Sequence, residues 1–326
     1  MNVMKMIANF YSILFMSLFI SDVTLAQSLG ASSTQPIRLL VGSVPGASSD
    51  TYARIISEPL GKILGQTVLI ENKSGASGII ATGSMMSSPP DGHTLQLIYT
   101  PHTLSPYLFK KLSYDPIKDV VGITMIVTSP LVLVVGGNSP IKSYKELLEL
   151  GKTRPLNYGS AGIGSGGHLS GEMLRLDTGL KLTHVPYRGA APAATAVAAG
   201  DVDFAFVAQI TAKELTSVNK LRILGVTGKV RSPALSQVPT MQELGLKDFE
   251  FVNWFGLIAA AKTPPETVKK IHQAMQEVLK QADIKSRLTA DGSDIIGNQP
   301  EQFTQFLVSD AKRWGPLVSQ MGLKGE

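Results

Sequence analysis

Ile37-Arg38-Leu39-Leu40-Val41-Gly42-Ser43-Val44-Pro45-Gly46-Ala47-Ser48-Ser49-Asp50-Thr51-Tyr52-Ala53-Arg54 reads as a buried strand, a tight turn of small residues and the opening of a helix. Leu39 to Val41 is continuous and apolar, as in a strand covered on both faces. Pro45-Gly46 is a turn signal, and Ser48, Ser49 and Asp50 are all favoured N-cap types. A turn without bulky side chains lets a ligand reach bare N–H groups at a helix N-terminus, which suits an anion. Taken alone, an ordinary strand-to-helix turn is the simpler account of this stretch.

The pattern continues outward. The helix extends from about Ser49 to Leu64, with Tyr52, Ile55, Ile56, Leu60 and Ile63 on one side and Pro59 expected to kink or split it. Thr67 to Glu71 is a second strand. Asn72-Lys73-Ser74-Gly75-Ala76-Ser77-Gly78 is another small-residue loop, followed by a helix near Ile79 to Met86 and a strand from Thr94 to Ile98. Such alternation points to parallel βαβ units. The apolar run Val120 to Val135, interrupted at Pro130, reads as two strands with a crossing between domains. The pattern then restarts with helix Ser143 to Leu150, strand Leu156 to Ser160, the glycine-rich Ala161-Gly162-Ile163-Gly164-Ser165-Gly166-Gly167 and helix His168 to Asp177. Strand Thr183 to Val185, helix Ala190 to Ala199 and strands Val202 to Val207 and Leu221 to Thr227 follow. Val252 to Ile258 is a return strand, and helical spacing of Val268, Ile271, Met275 and Val278, then of Phe303, Leu307 and Trp314, fills the C-terminal part.

The expected fold class is α/β. It has two domains, 34–129 plus 253–326 and 130–252, each a mixed, mostly parallel sheet flanked by helices and joined by two crossover connections. Ligands of open α/β sheets bind beyond the carboxyl ends of the strands, so the two small-residue turns would face one another over a cleft.

Composition narrows the classes. With 44% hydrophobic and 17% charged residues in 326, the chain is globular and long enough for two cores. Lys5, the apolar run Ile7 to Ile20 and Thr24-Leu25-Ala26 read as a secretory signal over residues 1–26, cleaved before Gln27. A permanent anchor needs about 20 apolar residues, more than this run supplies. The absence of cysteine excludes disulfides, thiol nucleophiles and thiolate metal sites. The net charge of +5 is scattered, with no basic run interleaved with aromatics, so nucleic acid is not an expected partner.

Catalytic signatures are missing. Gly162-x-Gly164-x-x-Gly167 matches the dinucleotide fingerprint literally, but Thr183-His184-Val185-Pro186-Tyr187-Arg188 offers no acid for the ribose. His93, His102, His168, His184 and His272 show no metal-binding spacing. What remains is anion binding by backbone amides and small hydroxyls. Charge-assisted hydrogen bonds contribute about 1.5–3 kcal/mol each, and micromolar affinity needs about 8 kcal/mol, so five or six spread over two loops suffice.

Several stretches together resemble one family. They are Val44-Pro45-Gly46-Ala47-Ser48-Ser49-Asp50-x-x-Ala53-Arg54, Glu71-Asn72-Lys73-x-Gly75-Ala76-x-Gly78, Pro90-Asp91-Gly92-His93-Thr94-Leu95, Tyr114-Asp115-Pro116, Tyr158-Gly159-Ser160-Ala161-Gly162-x-Gly164-Ser165-x-x-His168-Leu169, His184-Val185-Pro186-Tyr187-Arg188-Gly189 and Trp254-Phe255-Gly256. In this order the chain resembles the Bug (TctC-like) family of periplasmic solute receptors of tripartite tricarboxylate transporters. The resemblance implies a periplasmic-binding-protein fold of the Venus flytrap, type II-like kind. It also implies capture of a small organic carboxylate and its delivery to an inner-membrane permease, by a periplasmic monomer without cofactor, metal or catalytic residues. By position it assigns ligand contact to Ser43, Pro45, Gly46, Ala47, Ser48 and Asp50, with Ser77 and Thr100 beside them, and to Ser160, Ala161, Gly162, Gly164, Ser165 and His168.

Two departures bear on the ligand. Ala47 replaces the family's second glycine, which brings a methyl group into the first loop. Val207 stands where the family commonly has an aspartate near the cleft, which tilts the reading towards a plain or aromatic carboxylate over an amino acid. Asp50 has two open roles, capping its helix with a pair to Arg54 or touching ligand; Arg188 is an anion contact or a structural residue. A sensory receptor of the same fold, or an exported hydrolase using the cleft, are the alternative functions.

Overall fold

The computed structural model describes residues 35–109, 111–290 and 292–322; the expected export signal lies outside them. From Gln35 onward the chain forms one compact unit. Strand β1 (Ile37–Val41) runs parallel between β2 (Val68–Asn72) and β3 (Thr94–Tyr99). Helix α1 (Ser48–Leu64) joins the first two strands, α2 (Ile79–Met86) the next two, and α3 (Pro101–Leu108) follows β3. After β4 (Val120–Gly136) come α4 (Tyr144–Thr153), β5 (Leu156–Ser160), α5 (Gly166–Thr178), β6 (Leu182–Pro186), α6 (Ala190–Ala199), β7 (Phe204–Ala208), α7 (Gln209–Ser217) and β8 (Leu221–Val226). The chain closes with β9 (Val252–Ala260), α8 (Pro265–Lys280), α9 (Ala282–Thr289), β10 (Asp294–Ile295) and α10 (Pro300–Met321).

One sheet runs in the order β2-β1-β3-β9-β4-β7-β5-β6, with β10 and β8 also pairing with β4. The Val120 to Val135 run is therefore one strand and not the two expected. It changes partners at Pro130: up to Pro130↔Val252 it pairs with β9, and from Leu131 on it pairs with β7 and β8. Proline has no N–H for the ladder, and here the missing donor falls where one ladder ends and the next begins. Thr227 secures the junction. The Leu131 N–H donates to Thr227 Oγ1 at 2.8 Å, the Thr227 N–H donates to the Leu131 carbonyl at 2.9 Å, and the Thr227 hydroxyl reaches the Phe251 carbonyl.

Both faces of each half of the sheet are covered, which explains the continuous apolar strands. In the first half, α1, α8 and α9 pack Tyr52, Ile55, Ile56, Met275 and Leu288 over Leu39, Leu97 and Leu257, while α2 and α10 bring Met85, Phe303 and Leu307 to the opposite face. In the second half, α4 and α5 set Leu147, Leu169 and Leu174 against Leu133, Tyr158 and Phe206; α6 and α7 set Val197 and Ala212 against Val132 and Val207. Helix α10 straddles the halves, because Trp314, Val318 and Met321 join the second half's cluster. Its buried Asp310 accepts from Thr103, Trp254 and Trp314, which fixes Trp254 to the last helix.

Two further differences from expectation have plain causes. Pro59 does not split α1, which runs unbroken with Tyr52, Ile55, Ile56 and Leu60 buried on both sides of it. Helix α7 carries no readable apolar stripe, since only Gln209 and Ala212 are buried in it.

Replacing Thr227 by valine keeps shape but strands the Leu131 N–H in a fully buried place. Losing a partner for a buried backbone donor costs about 1–3 kcal/mol. Denaturant unfolding of T227V should show that loss at unchanged m-value; a loss under about 0.5 kcal/mol would contradict the role given to Thr227.

Candidate ligand-binding site

Two loops leave the carboxyl ends of parallel strands and open helices. The first, residues 42–47, follows β1. Ala47 occupies the N-cap of α1 and has no side-chain acceptor, so no side chain caps the first N–H groups of that helix. The Ser43 and Ser49 hydroxyls lie 2.6 Å apart. Asp50, 2% exposed, works inside the loop. Its carboxylate accepts the Gly46 N–H at 2.9 Å, the Asn72 amide at 3.0 Å and the Arg54 guanidinium at 2.9 and 3.1 Å. Burial pushes its pKa up, but Arg54, the Gly46 N–H and Asn72 together pull it below the usual value. Of its two open roles, the geometry is that of the Arg54 pair and a brace on Gly46. Asn72 also donates to the Ser43 carbonyl at 3.1 Å.

The loop after β2 meets the first loop backbone to backbone: a Cβ on Gly42 would stand 2.6 Å from Gly78 Cα. Ala76 and Ser77 hold left-handed φ values of 44° and 56°, a conformation that costs residues with a side chain about 1 kcal/mol or more each. Ser77 Oγ donates to the Ile163 carbonyl at 3.5 Å and so spans to the second loop. Beside it lies a small cavity of about 10 Å³, roughly the room for a single water, lined by Ser77, Thr82, Gln96, Tyr99, His102 and Tyr114.

The second loop follows β5. Ser165 caps α5, accepting the His168 N–H at 3.4 Å. Ser160 is fully buried; its Oγ accepts the Gly162 N–H at 3.0 Å and lies 2.6 Å from His184 Nε2. His168 Nδ1 accepts the Gly164 N–H at 3.1 Å, so the neutral ring carries its proton on Nε2. The His168 and His184 rings stack with centroids 3.7 Å apart. Burial lowers both pKa values, to about 3 for His168, where His184 adds repulsion, and to about 4 for His184, where Glu172 opposes the shift.

Ser43, Pro45, Gly46, Ala47, Ser48 and Asp50 thus share the first loop and helix start, and Ala161, Gly162, Gly164, Ser165 and His168 share the second with Ser160 at its root. Thr100 follows β3 as the N-cap of α3, buried, with Oγ1 unpartnered. Val207 stands apart from the loops: at 1% exposure it packs with Val132, Ala194 and Val226 in the core. Arg188 is exposed. Asn72 and Ser49 hold the first loop; the sequence marks Ser49 only as an N-cap type and Asn72 only as part of a motif, neither as a brace of the loop. Among the described residues no group of His, Asp and Glu could hold a metal ion, and no helix is long and apolar enough to cross a membrane.

A mixed α/β sheet whose central strand is shared by two halves, with opposed strand-end loops, is a periplasmic-binding-protein fold. The family model described as "Tripartite tricarboxylate transporter family receptor" matches residues 52–323, and the chain belongs to that family. It is 32% identical over 303 residues to the UPF0065 protein in the tcbD-tcbE intergenic region of Pseudomonas sp. (strain P51), covering 92% of this chain and 90% of that protein. The structure of the periplasmic binding protein BugD is 30% identical with a TM-score of 0.81, covering 89% of this chain and 99% of that one. R. palustris Rpa4515 with adipate is 30% identical with a TM-score of 0.83, covering 90% and 99%.

The two histidines give the fold an acid limit. Their folded pKa values lie below the unfolded value of about 6.5, so the unfolded chain binds more protons and stability falls as pH drops from about 6.5 through 4. Denaturation between pH 7 and pH 4.5 should show this slope, and it should become shallower in the H168N/H184N double variant, with His102, which burial also lowers to about 4, supplying the remainder. An equal slope in that variant would contradict the assignment.

Proposed function

We propose that this protein is an extracytoplasmic, non-catalytic receptor that captures a small organic carboxylate between the two loops and delivers it to a tripartite tricarboxylate-type permease. The observation that carries this reading is the convergence of three strand-end loops: the Gly42–Gly78 approach joins the loops after β1 and β2, and the Ser77–Ile163 hydrogen bond joins the loop after β2 to the one that opens α5. Helix N-termini with open N–H groups favour anions, and one structural relative, Rpa4515, has adipate bound. The proposed domains, 34–129 plus 253–326 and 130–252, would close about the place where Pro130 and Val252 lie side by side.

Binding is favoured over turnover by the state of the Ser160–His184 pair. A serine hydroxyl 2.6 Å from an imidazole is the contact that a nucleophile needs. Ser160, however, is fully buried, and its oxygen is engaged with both the N–H and the carbonyl of Gly162. It braces the loop.

A thermal-shift screen of carboxylic acids tests the proposal. A ligand at 100 times its dissociation constant adds about 2.7 kcal/mol. Replacing Ser165 by tryptophan removes a cap worth about 1 kcal/mol and fills the second loop, so it should abolish the shift while the protein stays folded. Stabilisation by sugars or cations but by no carboxylate would refute the reading. Normal affinity in folded S165W would remove the second loop from the site.

A further inference from the structure

A second cavity, of about 250 Å³, opens at the end of β5 remote from the loops. Strand β5 runs from Leu156 to Ser160, and the second loop leaves it at Ser160. Leu156 pairs with Leu182, and Leu180, which lines the cavity, comes just before that strand. The length of β5 thus puts roughly 13 Å between the cavity and the second loop. One wall is the face of α4 that carries Tyr144, Leu148 and Lys152, spaced one turn apart.

The end of α5 forms the second wall, where Gly179 (φ 68°) turns the chain between Asp177 and Leu180. A Cβ on Gly151 would stand 2.7 Å from Leu180 Cδ1, so α4 packs directly on this turn. The third wall is Leu244 and Leu246, in a turn closed by the Leu246 N–H donating to the Met241 carbonyl at 3.2 Å. Among these leucines the polar groups are largely unspent. Tyr144 is 4% exposed, and its hydroxyl has no hydrogen-bond partner. Burial, and then the charge of Asp177, raise its pKa, so it stays a neutral phenol able to donate and accept. Burial and the neighbouring Asp248 likewise raise the pKa of Asp177. Neither Asp177 nor Lys152 forms an ion pair with another described residue. Thr178 is the exception, its hydroxyl donating to the Leu174 carbonyl at 2.6 Å.

We propose that this cavity is a second binding site, separate from the two loops, for an amino acid with an apolar side chain. The ligand ammonium donates to the Asp177 carboxylate, and the ligand carboxylate accepts from the Lys152 ammonium. The Tyr144 hydroxyl bonds to the same polar end, and the apolar side chain lies among the leucines. A plain amine would set a like charge against Lys152, and a plain acid would do so against Asp177. A zwitterion answers both. The volume lies just under the roughly 300–1,000 Å³ of pockets for drug-sized ligands, which suits a body as small as leucine or phenylalanine.

Titration calorimetry of the purified protein with leucine, methionine and phenylalanine tests the site. At least one of them should bind, and isoamylamine, isocaproate and glycine should displace it at least tenfold less effectively. Asp177 and Lys152 are exposed, so D177N and K152M should fold normally, as melting temperatures will show. Each should weaken the amino acid at least tenfold, and Y144F about fivefold. S165W, which fills the second loop, should leave its affinity unchanged. Equal affinity in wild type, D177N and K152M, or loss of binding in S165W, overturns the proposal by placing the amino acid elsewhere. Isocaproate or isoamylamine competing as well as leucine overturns the zwitterion, and binding of none of the three amino acids overturns the site. None of these outcomes bears on the carboxylate reading of the two loops, which the thermal-shift screen tests separately.

Discussion

Strand β4 is one continuous backbone that serves two ladders in turn, and the position of both loops follows from that. At Pro130 the strand lacks a donor, and there β9 stops and β7 and β8 take over. The return strand β9 begins at Val252, directly opposite Pro130, so the chain crosses between the halves twice at a single level of the sheet. Thr227 replaces the lost regularity with hydrogen bonds to Leu131 and Phe251. Because the crossings are adjacent, the strand ends that carry the loops are held near one another without a long linker.

The second constraint is electrostatic. A helix start leaves N–H groups that require acceptors. In α1 the cap position is alanine, and the best nearby acceptor, Asp50, is already committed to Gly46, Asn72 and Arg54. In α5 one cap hydroxyl serves one N–H. The surrounding side chains add little charge: the stacked histidines are neutral by burial, and Arg54 is neutralised by Asp50. On the proposed reading, anion affinity would come from oriented backbone dipoles, a few bonds of about 1.5–3 kcal/mol each, and not from a buried cation.

Much of this is legible in the sequence because alternation and turn chemistry are local. The strands from β1 to β3, the helices that connect them and both small-residue loops stand where apolar runs and Pro-Gly or Gly-x-Gly turns put them. What escapes is set by distant partners. Pro130 reads as a break because nothing nearby reveals that the strand changes partners there. Asp50 has two possible roles until Asn72, 22 residues away, is brought beside it. Val207 sits in a motif next to the cleft, yet strand alternation turns it into the core.

The central claim is that the opened helix starts of α1 and α5 hold one carboxylate between them. A crystal structure with a bound carboxylic acid tests it most directly. The account predicts carboxylate oxygens within hydrogen-bonding reach, directly or through one water, of the N–H groups of Ser48 or Ser49 and of Gly166 or Gly167. A carboxylate held by one loop alone, or paired with a lysine or arginine elsewhere, would contradict it.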